Sequence, residues 1–310
     1  MGRFTGAFTR SLWLGLGIAA GAAGSGGCGG NNAAKQHATP ATLAPAASGT
    51  TATGEPASPL QMPEGNAEAP SLGEAELACS SSDPQARALY QEGYSAAERG
   101  DLAESEARYL AAIARDPDYC DAMDNLAVQY RRTGRTDEAI KLYERSVAVA
   151  PHNEMGWQNL GFAYQSLDRY DDALRAYQQI IDMSPRNPEG WYGHGQTLLM
   201  AGRFADARPS LLRAESLYAA AGSPLRGDAL MLLGMVAGGL KDWPTARTLL
   251  EAQYASAGRY AETNRYLGEA YLQSDSLDFE KARLYLERAR TLGADVPDEL
   301  WQRAHPKPRK

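Results

Sequence analysis

Small residues recur in this chain at a nearly constant spacing of 34 residues, and this period constrains the fold more than any other feature. The recurring positions are Gly93, Ala127, Gly161, Gly195, Gly234 and Gly268. A second series follows about twelve residues after each of them: Ser105, Ala139, Ala173, Ala207, Ala246 and Ala282. A fixed period of this length is typical of supersecondary units that stack along one axis.

Each unit has the pattern of two amphipathic helices. Apolar residues recur at helical spacing on both sides of a short turn, such as 133–135 or 201–203. Small residues halfway along the helices would let the two backbones approach closely. Pro117, Pro151 and Pro185 recur every 34 residues, where they would end the second helix. The pattern therefore predicts an all-α solenoid of helix pairs.

These residues resemble the tetratricopeptide repeat, and the best match lies at 154–187. Seven positions of that unit fit: Trp157, Leu160, Gly161, Tyr164, Ala173, Tyr177 and Pro185. The resemblance implies a right-handed α-solenoid of about six units with a short cap that covers the last apolar face. We place the units at 86–119, 120–153, 154–187, 188–221, 227–260 and 261–294, with the cap at 296–304. The extra residues 222–226 favour a joint after the fourth unit.

The sequence offers no catalytic constellation. None of the four histidines has a second ligand at metal-binding spacing, and His194, at a position where the repeat has leucine, is interpreted as a buried, hydrogen-bonded side chain. The repeats leave no room for an appended catalytic domain, so we predict no enzyme, no metal and no cofactor. The net charge of -7, without a basic stripe, also argues against nucleic-acid binding.

In the tetratricopeptide family, the first helices of successive units line a concave groove that binds partners. The groove positions in this chain are apolar in the middle, which favours an apolar or amphipathic segment of a partner protein. The predicted groove residues are Tyr90, Tyr94, Val128, Arg131, Met155, Phe162, Tyr192, Leu199, Met200, Met231 and Met235. The alternative is that residues 76–85 or the cap cover part of this surface.

The N-terminus has the three parts of an export signal. Arg3 and Arg10 precede an apolar run of about 13 residues, which is shorter than the roughly 20 that a membrane-spanning helix needs. Small residues follow, and Cys28 resembles the lipidated cysteine of bacterial lipoproteins, although Ser25 stands where that family usually has leucine. We therefore expect a signal peptide at 1–27 and lipid attachment at Cys28; ordinary cleavage near residues 20–22 is the alternative.

The segment after the signal is almost entirely alanine, proline, serine, threonine and glycine. This composition predicts a disordered linker at 28–75, before a repeat domain at 76–304 and a basic tail at 305–310. We expect the protein on the periplasmic side of the bacterial envelope, anchored by lipid to the outer membrane. The linker would let the repeats search the space beside that membrane.

Two further cysteines, Cys79 and Cys120, form an even pair if Cys28 is lipidated or removed. Cys79 precedes the first unit and Cys120 opens the second, so both lie at the same edge of the stacked units. In an oxidising compartment this arrangement favours a disulfide, with two free thiols as the alternative.

We thus predict a non-enzymatic scaffold for protein–protein interactions in the cell envelope. Two narrower functions stay open. Six repeats behind a lipoprotein-like start resemble the pilotins that help to assemble the secretin of type IV pili. The protein would otherwise be an accessory or regulator of a cell-wall enzyme.

Overall fold

The computed structural model describes residues 79–257, 260–273 and 277–306. These residues form helices without strands, which confirms the predicted all-α class. The expected signal peptide, the linker and Cys28 lie outside the described residues. The helices are α1 (Pro84–Glu98), α2 (Leu102–Arg115), α3 (Cys120–Arg132), α4 (Thr136–Val149), α5 (Glu154–Ser166), α6 (Tyr170–Met183), α7 (Pro188–Met200), α8 (Phe204–Ala220), α9 (Arg226–Gly239), α10 (Trp243–Ala257), α11 (Ala261–Gln273), α12 (Phe279–Thr291) and α13 (Asp298–Ala304).

Short polar side chains set where several of the helices begin. The Asp83 carboxylate accepts hydrogen bonds from the backbone N–H groups of Gln85 and Ala86 at the start of α1. Asn153 and Asn187 cap α5 and α7 in the same way. Each cap satisfies a backbone donor that has no partner within the helix. The starts of the first, third and fourth units are therefore encoded locally, by aspartate or asparagine before the helix.

The helices pack in the order in which the chain makes them. Each odd-numbered helix from α1 to α11 packs against the next even-numbered helix to form a pair. From α2 to α10, the second helix of each pair also packs against the first helix of the next pair. The first helices α3, α5, α7, α9 and α11 also contact one another in sequence. This arrangement of stacked helix pairs confirms the predicted solenoid.

The recurring small residues of the first helices lie where large side chains of the second helix pack directly against the backbone of the first. A methyl group at Gly195 would lie 2.7 Å from Leu211 Cγ, and one at Gly268 would lie 2.5 Å from Leu286 Cγ. Contacts this short do not occur between real carbon atoms, so a side chain at either position would displace the partner helix. The small residues that recur every 34 positions therefore mark the points where the two helices of a pair approach most closely.

The buried apolar residues form two main clusters. The N-terminal cluster extends from Ala86 to Ile180 and belongs to the first three units. The C-terminal cluster extends from Leu198 to Ala304 and belongs to the last three units and the cap. Between them, the contact is partly polar, because Gln165 Nε2 donates to Thr197 Oγ1 at 2.7 Å. The apolar core is thus divided near the middle of the described chain.

A tyrosine–glutamate contact joins neighbouring units at three places. Tyr130 donates to Glu106, Tyr164 to Glu144 and Tyr271 to Glu251. In each case the tyrosine lies in the last turn of a first helix and the glutamate lies on the second helix of the preceding unit. At the two central junctions, the equivalent positions are Leu198 and Ala237, which cannot make this bond.

The inserted residues 222–226 do not interrupt the stack. Helix α8 has 17 residues, longer than the other second helices, and α9 begins at Arg226 after a turn at Gly222 with a φ of 61°. Arg226 forms an ion pair with Glu215 at 2.7 Å, and α8 remains packed against α9. The insertion therefore lengthens one helix and its turn, where the sequence had favoured a joint.

Helix α13 closes the C-terminal end. Leu300 is buried in the C-terminal cluster, and Trp301 packs against its edge. The Arg290 guanidinium lies 3.7 Å above the Trp301 ring, and the His305 ring stacks on it at 4.0 Å. These contacts cover the apolar side of the last helix pair.

Candidate partner-binding face

Side-chain contacts between successive first helices define one face of the stack, here called the first-helix face. Asn125 of α3 donates to the Tyr90 hydroxyl of α1 at 3.0 Å. The Arg131 guanidinium lies 4.5 Å above the Phe162 ring of α5. Gln158 of α5 in turn donates to Glu189 of α7 at 3.3 Å. The residues predicted to bind a partner lie along these same helices.

Apolar surface is open on the N-terminal half of this face. Tyr94 is 46% exposed, and Met155, at 61%, is the most exposed of the large apolar side chains that the structure describes. Several other predicted groove residues are half-buried and keep some surface available: Tyr90, Val128, Arg131, Phe162, Tyr192 and Met200. A partner that contacts these side chains would bury apolar area that now faces solvent.

Three predicted groove residues are core residues, and the expectation that they are exposed is wrong. Leu199, Met231 and Met235 are only 1%, 4% and 3% exposed and belong to the C-terminal cluster. The reason is that α9 is apolar around most of its circumference and packs against α7, α8, α10 and α11. These side chains stabilise the stack and do not offer open surface.

Carboxylates recur at the second position of four units, in the first turn of the first helix, and we call them the carboxylate row. The row is Asp121 on α3, Glu189 on α7, Asp228 on α9 and Glu262 on α11. Glu189 and Asp228 are not among the predicted groove residues, although each is an acidic residue at the second position of its unit.

Cations compensate only part of the carboxylate row. Glu262 pairs with Arg265 at 2.8 Å. Glu189 accepts hydrogen bonds from the neutral groups of Tyr218 and Gln158. Among the described residues, neither Glu189 nor Asp228 forms an ion pair. Burial raises the pKa of the Asp228 carboxyl, and the nearby Glu189 charge raises it further.

A further half-buried carboxyl, Asp124, lies one turn beyond Asp121. Burial, with a contribution from the Asp121 charge, raises the pKa of Asp124 to about 6. The Asn153 amide donates to one of its oxygens at 3.3 Å, and the Ser146 hydroxyl also favours the ionised form. Negative charge is therefore concentrated at this edge of the first-helix face.

Cys79 and Cys120 lie side by side at the edge of the first two units. Their Cα atoms are 4.8 Å apart, within the range of a disulfide, and both side chains are buried beside Ala150. The segment between Cys79 and α1 is held by an ion pair of Asp83 with Arg115 at 2.7 Å. The predicted pairing is thus sterically possible without movement of the backbone.

A histidine and two clefts are further polar features of the described chain. His194 Nδ1 lies 3.0 Å from the Ser210 hydroxyl, and burial lowers the pKa of its imidazole. Two clefts of about 470 and 710 Å³ lie beside Tyr164 and Tyr271, at equivalent unit junctions. The described residues contain no group of three potential metal ligands and no helix with the length and hydropathy to span a membrane.

Comparisons with known proteins agree with this geometry. Two family profiles described as tetratricopeptide repeat match residues 118–186 and 159–224. No curated protein sequence matches the chain.

Solved structures share the fold at low sequence identity. A tetratricopeptide repeat protein from Parabacteroides merdae is 16% identical with a TM-score of 0.55, over 72% of this chain and 100% of that one. The structure of the APC/C hetero-tetramer Cut9–Hcn1 is 16% identical in sequence with a TM-score of 0.58, and the match covers 71% of this chain and 42% of that one. PilW, a type IV pilus biogenesis factor, is 18% identical in sequence with a TM-score of 0.53, and the match covers 60% of this chain and 84% of that one.

The fold and its open first-helix face define an α-solenoid of the kind that generally serves as a non-catalytic scaffold. The repeat pattern, the helix pairs and the profiles that match residues 118–224 show that the described residues form a tetratricopeptide-repeat solenoid.

Proposed function

We propose that this protein is a non-enzymatic scaffold that binds a segment of a partner protein on its first-helix face. The observation that carries the proposal is the open apolar surface of Tyr94 and Met155. Half-buried Val128 on α3 and Phe162 on α5 add apolar surface on the same set of helices. An apolar or amphipathic segment would cover these side chains, and the methionine side chain can adapt its shape to the partner.

Site-specific photocrosslinking in cells tests this function. A benzoylphenylalanine residue at position 155 should give a discrete adduct with one partner, and Tyr94→Ala should reduce its yield. The matched control is the same crosslinker at Leu212, which is 50% exposed on the second helix α8. Equal adducts from positions 155 and 212 would show that the first-helix face has no special role.

The proposed compartment rests on the N-terminal sequence. We place the protein on the periplasmic side of the bacterial outer membrane, with lipid on Cys28 and the segment 28–75 as its tether. The support is the basic and apolar start followed by a small-residue stretch around the cysteine. Replacing Cys28 by serine should release the protein into the soluble periplasmic fraction; retention in the membrane fraction would contradict the lipid anchor.

One narrower function has specific support. The fold similarity to PilW, together with the lipoprotein-like start, favours a role in assembling a type IV pilus secretin. Deleting the gene should then abolish secretin multimers in the outer membrane, and expression of the intact protein should restore them. Normal multimers in the deletion strain would exclude this role. A cell-wall enzyme as the crosslinked partner would instead support the role of an enzyme regulator.

The lead-in to the first unit is proposed to be fixed by a disulfide between Cys79 and Cys120. The support is the separation of 4.8 Å between the Cα atoms, their burial, and the oxidising compartment that the export signal indicates. Such a bond would hold the edge of the first-helix face next to Asp121 and Asp124.

A further inference from the structure

The residues that lead into the first unit, 79–83, run along one edge of the stack, across the turns that precede the first helices. Asp83 caps the start of α1. Ser81 donates a hydrogen bond to Asp116 in the turn before α3. From residue 83 back to residue 81, the chain therefore moves from the start of the first unit to the start of the second.

Cys79 continues this path to the third unit. Its Cα lies 4.8 Å from that of Cys120 at the start of α3, and its side chain is buried beside Ala150. The Asn153 amide, at the start of α5, donates to Cys79 Sγ at 3.4 Å. The residues that precede Cys79 therefore join the described chain beside the first turn of α5.

The same edge extends to the fourth unit. Glu154 of α5 accepts hydrogen bonds from Ser184 and Asn187 in the turn before α7. Arg186 in that turn is exposed, and it forms no ion pair within the part of the chain that the structure describes. A segment that followed the edge beyond Cys79 would therefore pass α5 and reach an available positive charge.

Met155 lies on this path and differs from its counterparts in the other units. It follows Asn153 by two residues and is 61% exposed. It occupies the second position of its unit, where each of the other five units has a charged residue: Arg87, Asp121, Glu189, Asp228 and Glu262. A large apolar side chain at this position favours contact with another apolar group over contact with water.

We infer that residues 71–78 continue along this edge and cover Met155 with the side chain of Leu77. Packed helices lie about 8–10 Å apart and three extended residues span about 10 Å, so Glu74 would then reach Arg186 in the next turn. This inference rests on the proposed function and adds its regulation, because a partner segment must displace residues 71–78 from Met155.

Photocrosslinking within the purified protein tests the contact. Benzoylphenylalanine is placed at position 155 of the protein with its linker intact, which is purified without reductant and irradiated in dilute solution. Mass spectrometry of the peptides should map an intrachain crosslink to residues 71–78. Leu77→Asp should abolish it, and Leu60→Asp, the same change farther from the repeats, should not. The crosslinker at Leu212, exposed on α8, is the control for position.

The competition is measured in cells with the same crosslinker. Leu77→Asp should raise the yield of the partner adduct at position 155 by about threefold or more, because covering a binding surface lowers the apparent affinity in proportion to the uncovered fraction. Leu60→Asp should not change the yield. Circular dichroism of both variants checks that the repeats remain folded.

The outcomes separate this inference from the proposed function. Intrachain crosslinks to other parts of the chain, or none at all, would show that residues 71–78 do not cover Met155. Crosslinks between chains that increase with protein concentration would identify a second copy as the occupant and would also overturn the inference. An equal partner yield with Leu77→Asp and Leu60→Asp would exclude the competition. If the intrachain crosslink forms but no partner adduct appears in either strain, the contact is supported and the proposed binding function fails.

Discussion

The ring of Tyr177 occupies the space that a side chain at residue 193 would need. A methyl group on Gly193 would lie 2.1 Å from Tyr177 Cε1, and the tyrosine hydroxyl lies 3.3 Å from Gln165 Oε1. Tyr177 belongs to α6 and Gly193 to α7, so this contact sets how closely the third and fourth units approach.

We predict that Gly193→Ala destabilises the protein by about 1–3 kcal/mol, the usual range for overpacking of a core. In a Tyr177→Leu background the same change should cost less, since the smaller side chain leaves room for the methyl group. Denaturant unfolding of the two single variants and the double variant measures this coupling. Additive effects would show that the two residues do not compete for space; Ser95→Ala, at an exposed helical position, is the control.

The cysteine pair predicts a redox-dependent stability. Closing a loop of 41 residues should contribute up to about 4 kcal/mol on the chain-entropy model, so Cys120→Ser or reduction should lower the unfolding midpoint. Reductant should have no further effect on the Cys120→Ser variant. Mass spectrometry after alkylation without reductant counts the thiols, and alkylation of both Cys79 and Cys120 would contradict the bond. Cys28→Ser is the control for the remaining cysteine.

The Asp124 carboxyl predicts that stability falls as the pH rises from about 4 to about 6. Its pKa in the folded chain is about 6, above the ordinary value of 3.8, so the folded state holds the proton more tightly than the unfolded state. Ionisation therefore opposes folding, by at most about 3 kcal/mol at neutral pH.

Asp124→Asn should remove this penalty, because the amide keeps an acceptor for Asn153. The variant should unfold at a higher temperature than the parent at pH 7.5, and the difference should vanish near pH 4. Calorimetry at the two pH values provides the measurement, with Asp118→Asn in the exposed turn before α3 as control. A pH-independent difference would mean that the proton equilibrium of Asp124 is not responsible.

The tyrosine–glutamate contact predicts a coupling between neighbouring units. Tyr130→Phe should cost about 1 kcal/mol, since the hydroxyl donates to Glu106 at 2.8 Å. Combined with Glu106→Gln, it should give a non-additive double-mutant cycle. Tyr94→Phe, which changes an exposed hydroxyl, is the control. A coupling energy of zero would show that the hydroxyl contributes no bond across the junction.

Most of the fold was predictable from the sequence because the repeat is specified by local features of the sequence. Gly195 and Gly268 mark close contacts within helix pairs, and Asn153 and Asn187 mark helix starts. These features need no knowledge of distant residues. The effect of the insertion was not predictable in the same way, since five extra residues can lengthen a helix or separate two units, and the packing of α8 against α9 decides between them.

The candidate site was less predictable, because exposure depends on neighbours. Tyr94 and Met155 occupy groove positions and are exposed, whereas Met231 and Met235 occupy equivalent positions and are buried. The difference arises because α9 has apolar residues around most of its circumference. For this helix, the position of a residue in the repeat therefore does not predict whether its side chain is exposed to solvent. Glu189 and Asp228 were overlooked because an acidic first turn is also an ordinary way to stabilise a helix.

The division of the apolar core has a mechanical consequence. The N-terminal and C-terminal clusters meet near α6 and α7, where Leu198 replaces the tyrosine that bonds neighbouring units elsewhere. The Tyr177 ring nevertheless packs against Gly193 at this same junction, so the two clusters should move as one body. A ligand that extends from Met155 to Tyr192 would span the junction and meet a surface whose shape is fixed before it binds.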